Sequence, residues 1–283
     1  MKQSEDELLG LSAPLAFAWA ARHCASTCRW HHGIWQYLRI LGLVSSAARH
    51  REFFESVFTP LAGDGGYRRV LVSGAADYGM LDVVMRAYGA AALKLSALDV
   101  CPTPMKACQW YAAQQGISVT TAVGDILAFE AAAPFDIVCS HSFLKFFTPA
   151  ARTDLMARWH RLLRPGGKVV TVSRIASAGE TADAFGAAKG AQFHARVLQE
   201  AEQSRARLDI APDILADYAA HYIAGAARHH LGSLEEAERL FRAGGFALDI
   251  LELKHRDGTV GAAESGPGVA QRAAYALIVA TRV

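Results

Sequence analysis

Neither sign of charge dominates this 283-residue chain, in which 29 lysines and arginines face 27 aspartates and glutamates for a net charge of +2. The arginines are scattered rather than clustered. A broad surface for nucleic acid or acidic lipid is therefore not expected.

Long apolar runs are also missing. The most apolar N-terminal stretch, Leu8–Ala21, is short of a membrane span and contains Pro14. It follows Glu5, Asp6 and Glu7, so it lacks the basic start of a signal peptide. We expect no contact with a membrane and a cytoplasmic location.

Cysteine is scarce, and the five present are an odd number without a disulfide-like spacing. This usage suits a reducing compartment. Cys24 and Cys28 lie one helical turn apart, and His31 and His32 are the nearby residues that could complete a metal site. Buried thiols on a helix face are the interpretation we favour, and we predict no metal.

The first 60 residues have apolar residues at helical spacing, and the chain overall is 52% hydrophobic. Helices are predicted over Leu8–Ala21, Trp35–Val44 and Ala47–Phe58, the last stopped by Pro60. We interpret residues 1–60 as an N-terminal helical cap, separated by a Gly-rich turn from residues 61–283.

From Arg68 onward, strand and helix patterns alternate, which is typical of a parallel sheet with helices on both faces. The predicted strands are Val70–Ser73, Leu93–Leu98, Val119–Val123, Phe135–Ser140, Lys168–Ser173, Phe246–Leu253 and Tyr275–Thr281. The predicted helices between them are Met80–Tyr88, Met105–Gln115, Ala151–Leu163 (ending at Pro165-Gly166-Gly167) and 234–243, with Ser233 and Glu236 as a capping box.

Residues 176–231 interrupt this alternation and are predicted to form two helices, Ala182–Arg207 and Asp213–Arg228. Asp257–Pro267 is predicted to be a Gly-rich hairpin loop.

The segment Val70–Gly79 is the most informative part of the chain. It runs from a buried strand into a turn of small residues and then into a helix, which places backbone N–H groups at the carboxyl edge of a sheet. Ala76 and Tyr78 stand where glycines are expected in a nucleotide-binding turn, so this match alone is weak.

Acidic residues follow the next two strands. Asp99 ends the second strand, where a carboxylate suits the two hydroxyl donors of a ribose. Asp125 follows Gly124 after the third strand and suits an exocyclic adenine amine. Because the ends of parallel strands meet at one edge, an adenosine-containing ligand is the economical interpretation.

These features, together with Phe135-Asp136-Ile137-Val138 and the stretch Leu162-Leu163-Arg164-Pro165-Gly166-Gly167, resemble the class I S-adenosylmethionine-dependent methyltransferases. The resemblance covers roughly residues 67–283. It implies a doubly wound, mostly parallel seven-stranded sheet whose last strand is antiparallel, an N-terminal helical cap, and a helical lid at 176–231. A Rossmann dehydrogenase also has an acid after strand two, but that fold does not require Gly-Asp after strand three or Arg-Pro-Gly-Gly before strand five.

The resemblance implies roles for individual residues around the cofactor S-adenosylmethionine. Gly74, Ala75 and Ala76 would flank its methionine moiety, Asp99 would bind the ribose, Val100 would pack on the adenine, Asp125 and Ile126 would hold the adenine edge, and Ser140 and His141 would face the sulfonium and the substrate.

Two positions depart from the family. The family usually has an acid at the position of Val72, and that acid helps to anchor the cofactor amine. In this chain Asp77 or a water could bind the amine instead. Tyr78 replaces a glycine, and its ring would either contact the cofactor, through a cation–π interaction for example, or only pack on the first helix.

Further residues are candidates on the substrate side. Tyr37 and Arg39 could reach the cofactor carboxylate, with a packing stripe of Trp35, Leu38 and Leu41 as the alternative. His141 is the candidate general base. We predict substrate contacts from Trp35, Arg174 at the end of strand five and Tyr222 on the lid.

The leading functional hypothesis is methyl transfer to an oxygen or nitrogen of a small molecule, in secondary or specialised metabolism. An alternative is non-methylating cofactor chemistry, such as intramolecular attack that releases methylthioadenosine. Nucleic-acid methylation and a non-catalytic binding role are further alternatives. The near-neutral charge, and Ser140-His141-Ser142-Phe143 in place of an Asn-Pro-Pro-Tyr-like motif, speak against nucleic acid. A homodimer is left open.

Overall fold

A computed structural model of the protein describes residues 5–89, 92–176, 187–224, 229–255 and 274–283. The helices are α1 Glu5–His23, α2 Arg29–His32, α3 Trp35–Ile40, α4 Arg51–Asp64, α5 Gly79–Tyr88, α6 Pro102–Gln115, α7 Pro149–Leu162, α8 Ala187–Gln203, α9 Pro212–Ala224 and α10 Leu234–Ala243. The strands are β1 Arg69–Ser73, β2 Lys94–Asp99, β3 Val119–Val123, β4 Phe135–His141, β5 Leu163–Ile175, β6 Phe246–His255 and β7 Ala274–Arg282.

The seven strands form one sheet in the order β3-β2-β1-β4-β5-β7-β6. β1 to β5 are mutually parallel, whereas β7 pairs antiparallel with both β5 and β6. The predicted doubly wound sheet with an antiparallel last strand is therefore confirmed. The strand order reverses between β1 and β4, so a crevice opens at the carboxyl ends of these strands.

Each face of the sheet buries its own apolar cluster, because successive strand residues point to opposite sides. Val70 and Val72 of β1 pack with α4, α5 and α6 on one face. Leu71 packs with α7 and α10 on the other face, where Trp159 is fully buried. Strands covered on both faces carry the continuous apolar runs seen in the sequence.

A third apolar cluster joins the N-terminal helices to the insertion after β5. Ile34, Trp35 and Leu38 pack there with Phe193 of α8 and Leu215 of α9. The ends of the insertion meet, because the N–H of Ala176 donates to the carbonyl of Leu231 at 2.7 Å. The N-terminal helices and the insertion thus share one core above the sheet edge.

Pro60 does not stop the third predicted N-terminal helix, and that expectation was wrong. α4 continues to Asp64 and ends at Gly65, which has a positive φ of 76°. A proline inside a helix removes one N–H donor without forcing the chain to stop. Pro60 and Ser56, whose carbonyl loses its helical donor, are both exposed, so water can replace that bond.

The Arg-Pro-Gly-Gly stretch belongs to a strand, rather than forming the break expected between helix and strand. α7 ends at Leu162, and β5 begins at Leu163 with an irregular register between the pairs Phe135–Leu163 and Ile137–Lys168. At Gly167, a Cβ would lie 2.8 Å from the carbonyl oxygen of Arg164, so glycine is required for this close approach.

The later elements match their predicted positions. The hydroxyl of Ser233 accepts the N–H of Glu236 at 3.2 Å and caps α10, as the capping box predicts. The two insertion helices lie within the predicted ranges or extend one residue beyond, although residues 182–186 and 225–228 fall outside the described residues. The predicted Asp257–Pro267 loop also lies outside them.

Candidate functional site

Backbone hydrogen bonds join the ends of β1, β2 and β3 into one surface. Gly74 leaves β1 with a φ of 74°, and its N–H donates to the carbonyl of Leu98 at 2.9 Å. The N–H of Gly124 donates to the carbonyl of Asp99, also at 2.9 Å. The turn, the acid and the Gly-Asp pair are therefore held side by side at the carboxyl edge of the sheet.

The carboxylate of Asp99 is fixed by two backbone donors. Oδ2 accepts from the N–H of Ala75 at 3.1 Å, and Oδ1 accepts from the N–H of Cys101 at 2.9 Å. A carboxylate has about four acceptor positions, so each oxygen keeps capacity for a ligand hydroxyl. Burial raises the pKa of Asp99, against the opposing effects of nearby His32 and the two backbone donors.

Asp125 is exposed, and its Oδ1 accepts the N–H of Leu127 at 2.9 Å. Ile126 beside it is buried, whereas Val100 is 68% exposed on the opposite side of Asp99. An exposed valine at a strand end offers apolar surface to a flat ligand.

A cavity of about 470 Å³ opens over this edge. Ten of the predicted site residues line it: Gly74, Ala75, Ala76, Asp99, Val100, Asp125, Ile126, His141, Trp35 and Tyr222. Its far wall is aromatic, with Trp30 and His31 from the N-terminal segment and Phe146 and Phe147 after β4. The volume lies within the range of small-molecule sites.

Arg39 does not line the cavity, contrary to the expected contact with the cofactor carboxylate. It is buried in an ion-pair network with Asp77, beside the β1 turn, and with Glu5 of α1. Burial alone would lower the pKa of Arg39, but the two carboxylates raise it above its usual range. The same network engages Asp77, which also accepts the N–H of Gly79, so this acid is held away from the cavity.

Tyr37 and Tyr78 are likewise directed into protein contacts. The hydroxyl of Tyr37 donates to Asp209 at 2.6 Å. Tyr78 is fully buried and stacks on Tyr111 with ring centroids 4.8 Å apart, and its hydroxyl lies 3.2 Å from that of Ser12 in α1. Tyr78 therefore packs behind the turn against α6 and α1 and does not line the cavity, contrary to its predicted contact with the cofactor.

Ser140 and Arg174 also lie outside the cavity wall. The hydroxyl of Ser140 is buried 2.8 Å from that of Thr171 on the neighbouring strand. Arg174 is 9% exposed, and its Nη1 lies 3.1 Å from Nε2 of His230. Their strand positions were predicted correctly, but their side chains point away from the space that a ligand would fill.

His141 lines the cavity at the end of β4. Its Nε2 is buried without a hydrogen-bond partner among the described residues. Burial, with the nearby charges of His50, Lys145 and Arg39, holds the pKa of His141 well below its ordinary value. The imidazole is therefore neutral near pH 7, the form that can accept a proton.

The loop after β4 contributes residues that the sequence did not assign to the site. Ser142 has a φ of 53°, a left-handed conformation that is uncommon for a residue other than glycine. It directs the ring of Phe143 onto Gly74, where an added Cβ would lie 2.2 Å from the ring. The run of three phenylalanines within Ser142–Phe147 is the signal that could have identified this wall.

Four potential metal ligands also converge next to Asp99. The side-chain ligand atoms of Cys24, Cys28, His32 and Cys101 all lie within 4.8 Å of one another. The sequence indicated only the first two and a neighbouring histidine, because Cys101 is 73 residues away from Cys28. A hydrogen bond from Cys24 lowers the pKa of Cys101 below its ordinary value, although burial opposes this shift.

The strand order and the crevice are those of a doubly wound α/β domain, and comparison with known proteins shows which of them it resembles. Residues 78–167 match the model of the methyltransferase domain family. Over this segment the chain is similar to methyltransferase domains, and its seven-stranded sheet is the fold of S-adenosylmethionine-dependent methyltransferases of known structure. No curated protein sequence matches the chain.

Solved structures share the fold at low sequence identity. A Galdieria sulphuraria protein assigned as a sarcosine dimethylglycine methyltransferase has a TM-score of 0.54 and 14% identity, with 91% of this chain and 98% of that chain covered. The magnesium protoporphyrin IX methyltransferase of Synechocystis PCC 6803, solved with S-adenosylhomocysteine, has a TM-score of 0.50 and 10% identity, with 88% and 86% covered.

The pyocyanin biosynthetic protein PhzM is a third similar structure, with a TM-score of 0.51 and 17% identity. The match covers 95% of this chain but 62% of PhzM, and the chain likewise spans 62% of the methyltransferase SibL. Within the described residues, no helix is both long and apolar enough to cross a bilayer.

Proposed function

We propose that the protein transfers the methyl group of S-adenosylmethionine to an oxygen or nitrogen of a small, planar molecule. The observation that carries this proposal is a cavity in which the joined strand ends and aromatic side chains line the same space. One side has the groups that an adenosine needs, and the other has the surface that a flat acceptor needs.

On the cofactor side, the proposed roles follow from position and chemistry. Asp99 accepts the ribose hydroxyls through its remaining lone pairs, and Asp125 accepts the adenine amine. Val100 and Ile126 pack on the adenine, and Gly74 lets the backbone approach the methionine half of the cofactor. Since Arg39 and Asp77 are engaged elsewhere, the cofactor's amino-acid group is held mainly by backbone N–H groups of the turn and by water.

On the acceptor side, the cavity is lined by the aromatic side chains of Trp30, Trp35, Tyr222 and Phe146. Aromatic walls favour flat apolar ligands. In the reaction, the acceptor lone pair forms a bond to the methyl carbon while the carbon–sulfur bond breaks, and the sulfonium becomes a neutral thioether. Alignment of the three atoms provides much of the acceleration.

His141 is the proposed proton acceptor when the acceptor is a phenol or a protonated amine. Its neutral state and its position on the cavity wall support this role. The rings of His50 and Phe54 lie 5.2 and 6.5 Å from that of His141, and such packing limits the access of water to this part of the wall.

The near-neutral net charge and the aromatic wall favour a small molecule over nucleic acid. Five free cysteines suit a reducing, cytoplasmic environment. We also propose a division of the chain into a helical cap at 1–60 and a cofactor domain at 61–283, with a lid at 176–231. α4 extends across the boundary between the cap and the cofactor domain.

The test is product analysis by mass spectrometry with S-adenosylmethionine and a panel of phenols and aromatic amines. We expect S-adenosylhomocysteine and methylated product in equal amounts. His141→Asn should lower kcat on phenols by roughly 100-fold or more, the range of a lost general base, while His255→Asn on the exposed end of β6 should not. Release of methylthioadenosine without an acceptor would instead establish the cyclisation chemistry.

A further inference from the structure

Three cysteines and a histidine from separate parts of the chain meet beside the cofactor edge. Cys24 follows α1, and Cys28 directly precedes α2. His32 is the last residue of α2, and Cys101 follows β2. Together they are named the thiol–histidine cluster. The three cysteines lie apart from the three large apolar cores, in a small group that includes Ala20.

The spacing within the cluster is that of ligands around one metal ion. The sulfur of Cys24 lies 3.3 Å from that of Cys101 and 3.5 Å from Nδ1 of His32. The sulfur of Cys28 lies 3.8 Å from that of Cys101. Tetrahedral zinc with Zn–S bonds of about 2.3 Å places two sulfurs about 3.7 Å apart.

The donor set also selects the metal. Three thiols and one imidazole are soft to intermediate ligands, which favour zinc over magnesium or calcium. The hydroxyl of Thr103 lies 3.2 Å from the sulfur of Cys24 and can donate a hydrogen bond to a metal-bound thiolate. Cys24, His32, Cys101 and Thr103 are all buried, and Cys28 is half-buried at the cavity wall.

We propose that the thiol–histidine cluster binds one zinc ion as a closed structural site. Four protein ligands leave no open position, which distinguishes a structural zinc from a catalytic one. This departs from the sequence-based expectation that the chain holds no metal.

The site has a direct consequence for the cofactor pocket. Cys101 comes two residues after Asp99, and Cys28 and His32 line the cavity. A bound zinc ion therefore fastens the segment between α1 and α2 to the carboxyl end of β2. It fixes the wall that carries Asp99 and Val100 and links the N-terminal helices to the sheet.

A disulfide explains the arrangement less well. A Cys24–Cys101 bridge would leave the convergence of Cys28 and His32 unexplained, and the 3.3 Å separation is well beyond the bonded distance of about 2.05 Å. Simple packing of apolar thiols does not account for a buried imidazole whose Nδ1 lies 3.5 Å from the sulfur of Cys24.

The test measures metal in the untagged, full-length protein, purified with zinc in the growth medium. Elemental analysis should give about one zinc per chain. Cobalt exchanged into the site should show a thiolate-to-cobalt charge-transfer band and the intense visible bands of tetrahedral coordination. Neither measurement depends on enzymatic activity.

Matched variants assign the signal to the cluster. Cys101→Ser should lower the zinc content on the order of tenfold. Cys108→Ala, which removes a buried thiol outside the cluster, should retain it. If Cys101→Ser does not fold, Cys28→Ser serves in its place, because Cys28 is only half-buried.

Three results would overturn the proposal. The first is wild-type protein that contains no zinc and gives no cobalt spectrum. The second is Cys101→Ser or Cys28→Ser protein with undiminished zinc. The third is denatured wild-type protein that has two free thiols fewer than its five cysteines. The last result would establish a disulfide. A failure of methyl transfer would leave the metal measurement unaffected, so the two proposals are tested separately.

Discussion

Gly74 is the residue on which the proposed cofactor site depends most at the scale of single side chains. Its φ of 74° turns the chain from β1 toward α5, and the Phe143 ring fills the space where a side chain would begin. A residue with a Cβ would be strained by the backbone conformation and blocked by the ring. The glycine that the turn retains is thus the one that its geometry requires.

Gly74→Ala is therefore expected to lower the free energy of unfolding by about 1–3 kcal/mol, from left-handed strain and displacement of Phe143. It should also weaken binding of S-adenosylhomocysteine. Urea unfolding and calorimetry measure the two effects.

Gly63→Ala is the matched control, because this α4 glycine has open space around it and should gain up to about 1 kcal/mol from helix propensity. Equal stability of Gly74→Ala and wild type would contradict the strain argument.

Among the secondary-structure elements, Asp136 joins three strands that support the site. Its Oδ2 accepts the N–H groups of Arg68 and Arg69 at the start of β1, at 2.8 and 2.7 Å. Its Oδ1 accepts from Nε of Arg164 in β5 at 2.7 Å. The Phe-Asp-Ile-Val and Arg-Pro-Gly-Gly motifs are therefore parts of one junction at the end of the sheet opposite the ligand.

This junction makes stability depend on pH. Burial alone would raise the pKa of Asp136, but hydrogen bonds from the Arg69 and Arg68 amides and from Arg164 together lower it. A carboxyl whose pKa is lower in the folded state stabilises the protein fully above its unfolded-state pKa. That stabilisation is lost as the pH falls through the folded-state pKa.

Asp136→Asn is expected to cost about 2 kcal/mol at neutral pH, because an amide replaces a charged acceptor. The difference from wild type should shrink as the pH falls below the unfolded-state value. Urea unfolding across a pH series measures it. Asp154→Asn, at an exposed position on α7, should change little at any pH. A difference that does not vary with pH would exclude this electrostatic origin.

At the scale of the whole molecule, the N-terminal helices and the insertion after β5 pack on each other as well as on the sheet. Leu38 and Phe193 belong to the same apolar cluster. The buried ion pairs of Arg39 fasten this upper layer to the β1 turn. Two distant parts of the chain thus close one cavity.

The sequence was sufficient for the sheet and for the cofactor edge. Apolar strand runs, Asp99 and the Gly124-Asp125 pair depend on local spacing, and the structure brings them together where parallel strands end. Side-chain direction was harder to predict. Arg39, Tyr37 and Tyr78 were expected to be directed toward the cofactor, and each contacts a partner at least 33 residues away in the chain.

The thiol–histidine cluster shows the same limit. Cys24 and Cys28 are visible as a pair in the sequence, but their partner Cys101 is brought to them only by the packing of α1 and α2 against the end of β2. Long-range convergence of this kind leaves no periodic pattern in the sequence. The phenylalanine-rich loop after β4, by contrast, could have been recognised as a site wall from its composition.

Calorimetric titration with S-adenosylhomocysteine tests the central claim most directly, namely that the joined ends of β1, β2 and β3 bind the cofactor. We predict that wild type binds this ligand and that the exposed-surface control Asp154→Ala binds it with unchanged affinity. Asp99→Ala should bind on the order of 100-fold more weakly. This loss is equivalent to about 3 kcal/mol and reflects the missing charge-assisted hydrogen bonds. Equal affinity of Asp99→Ala and wild type, with both proteins folded, would contradict the account.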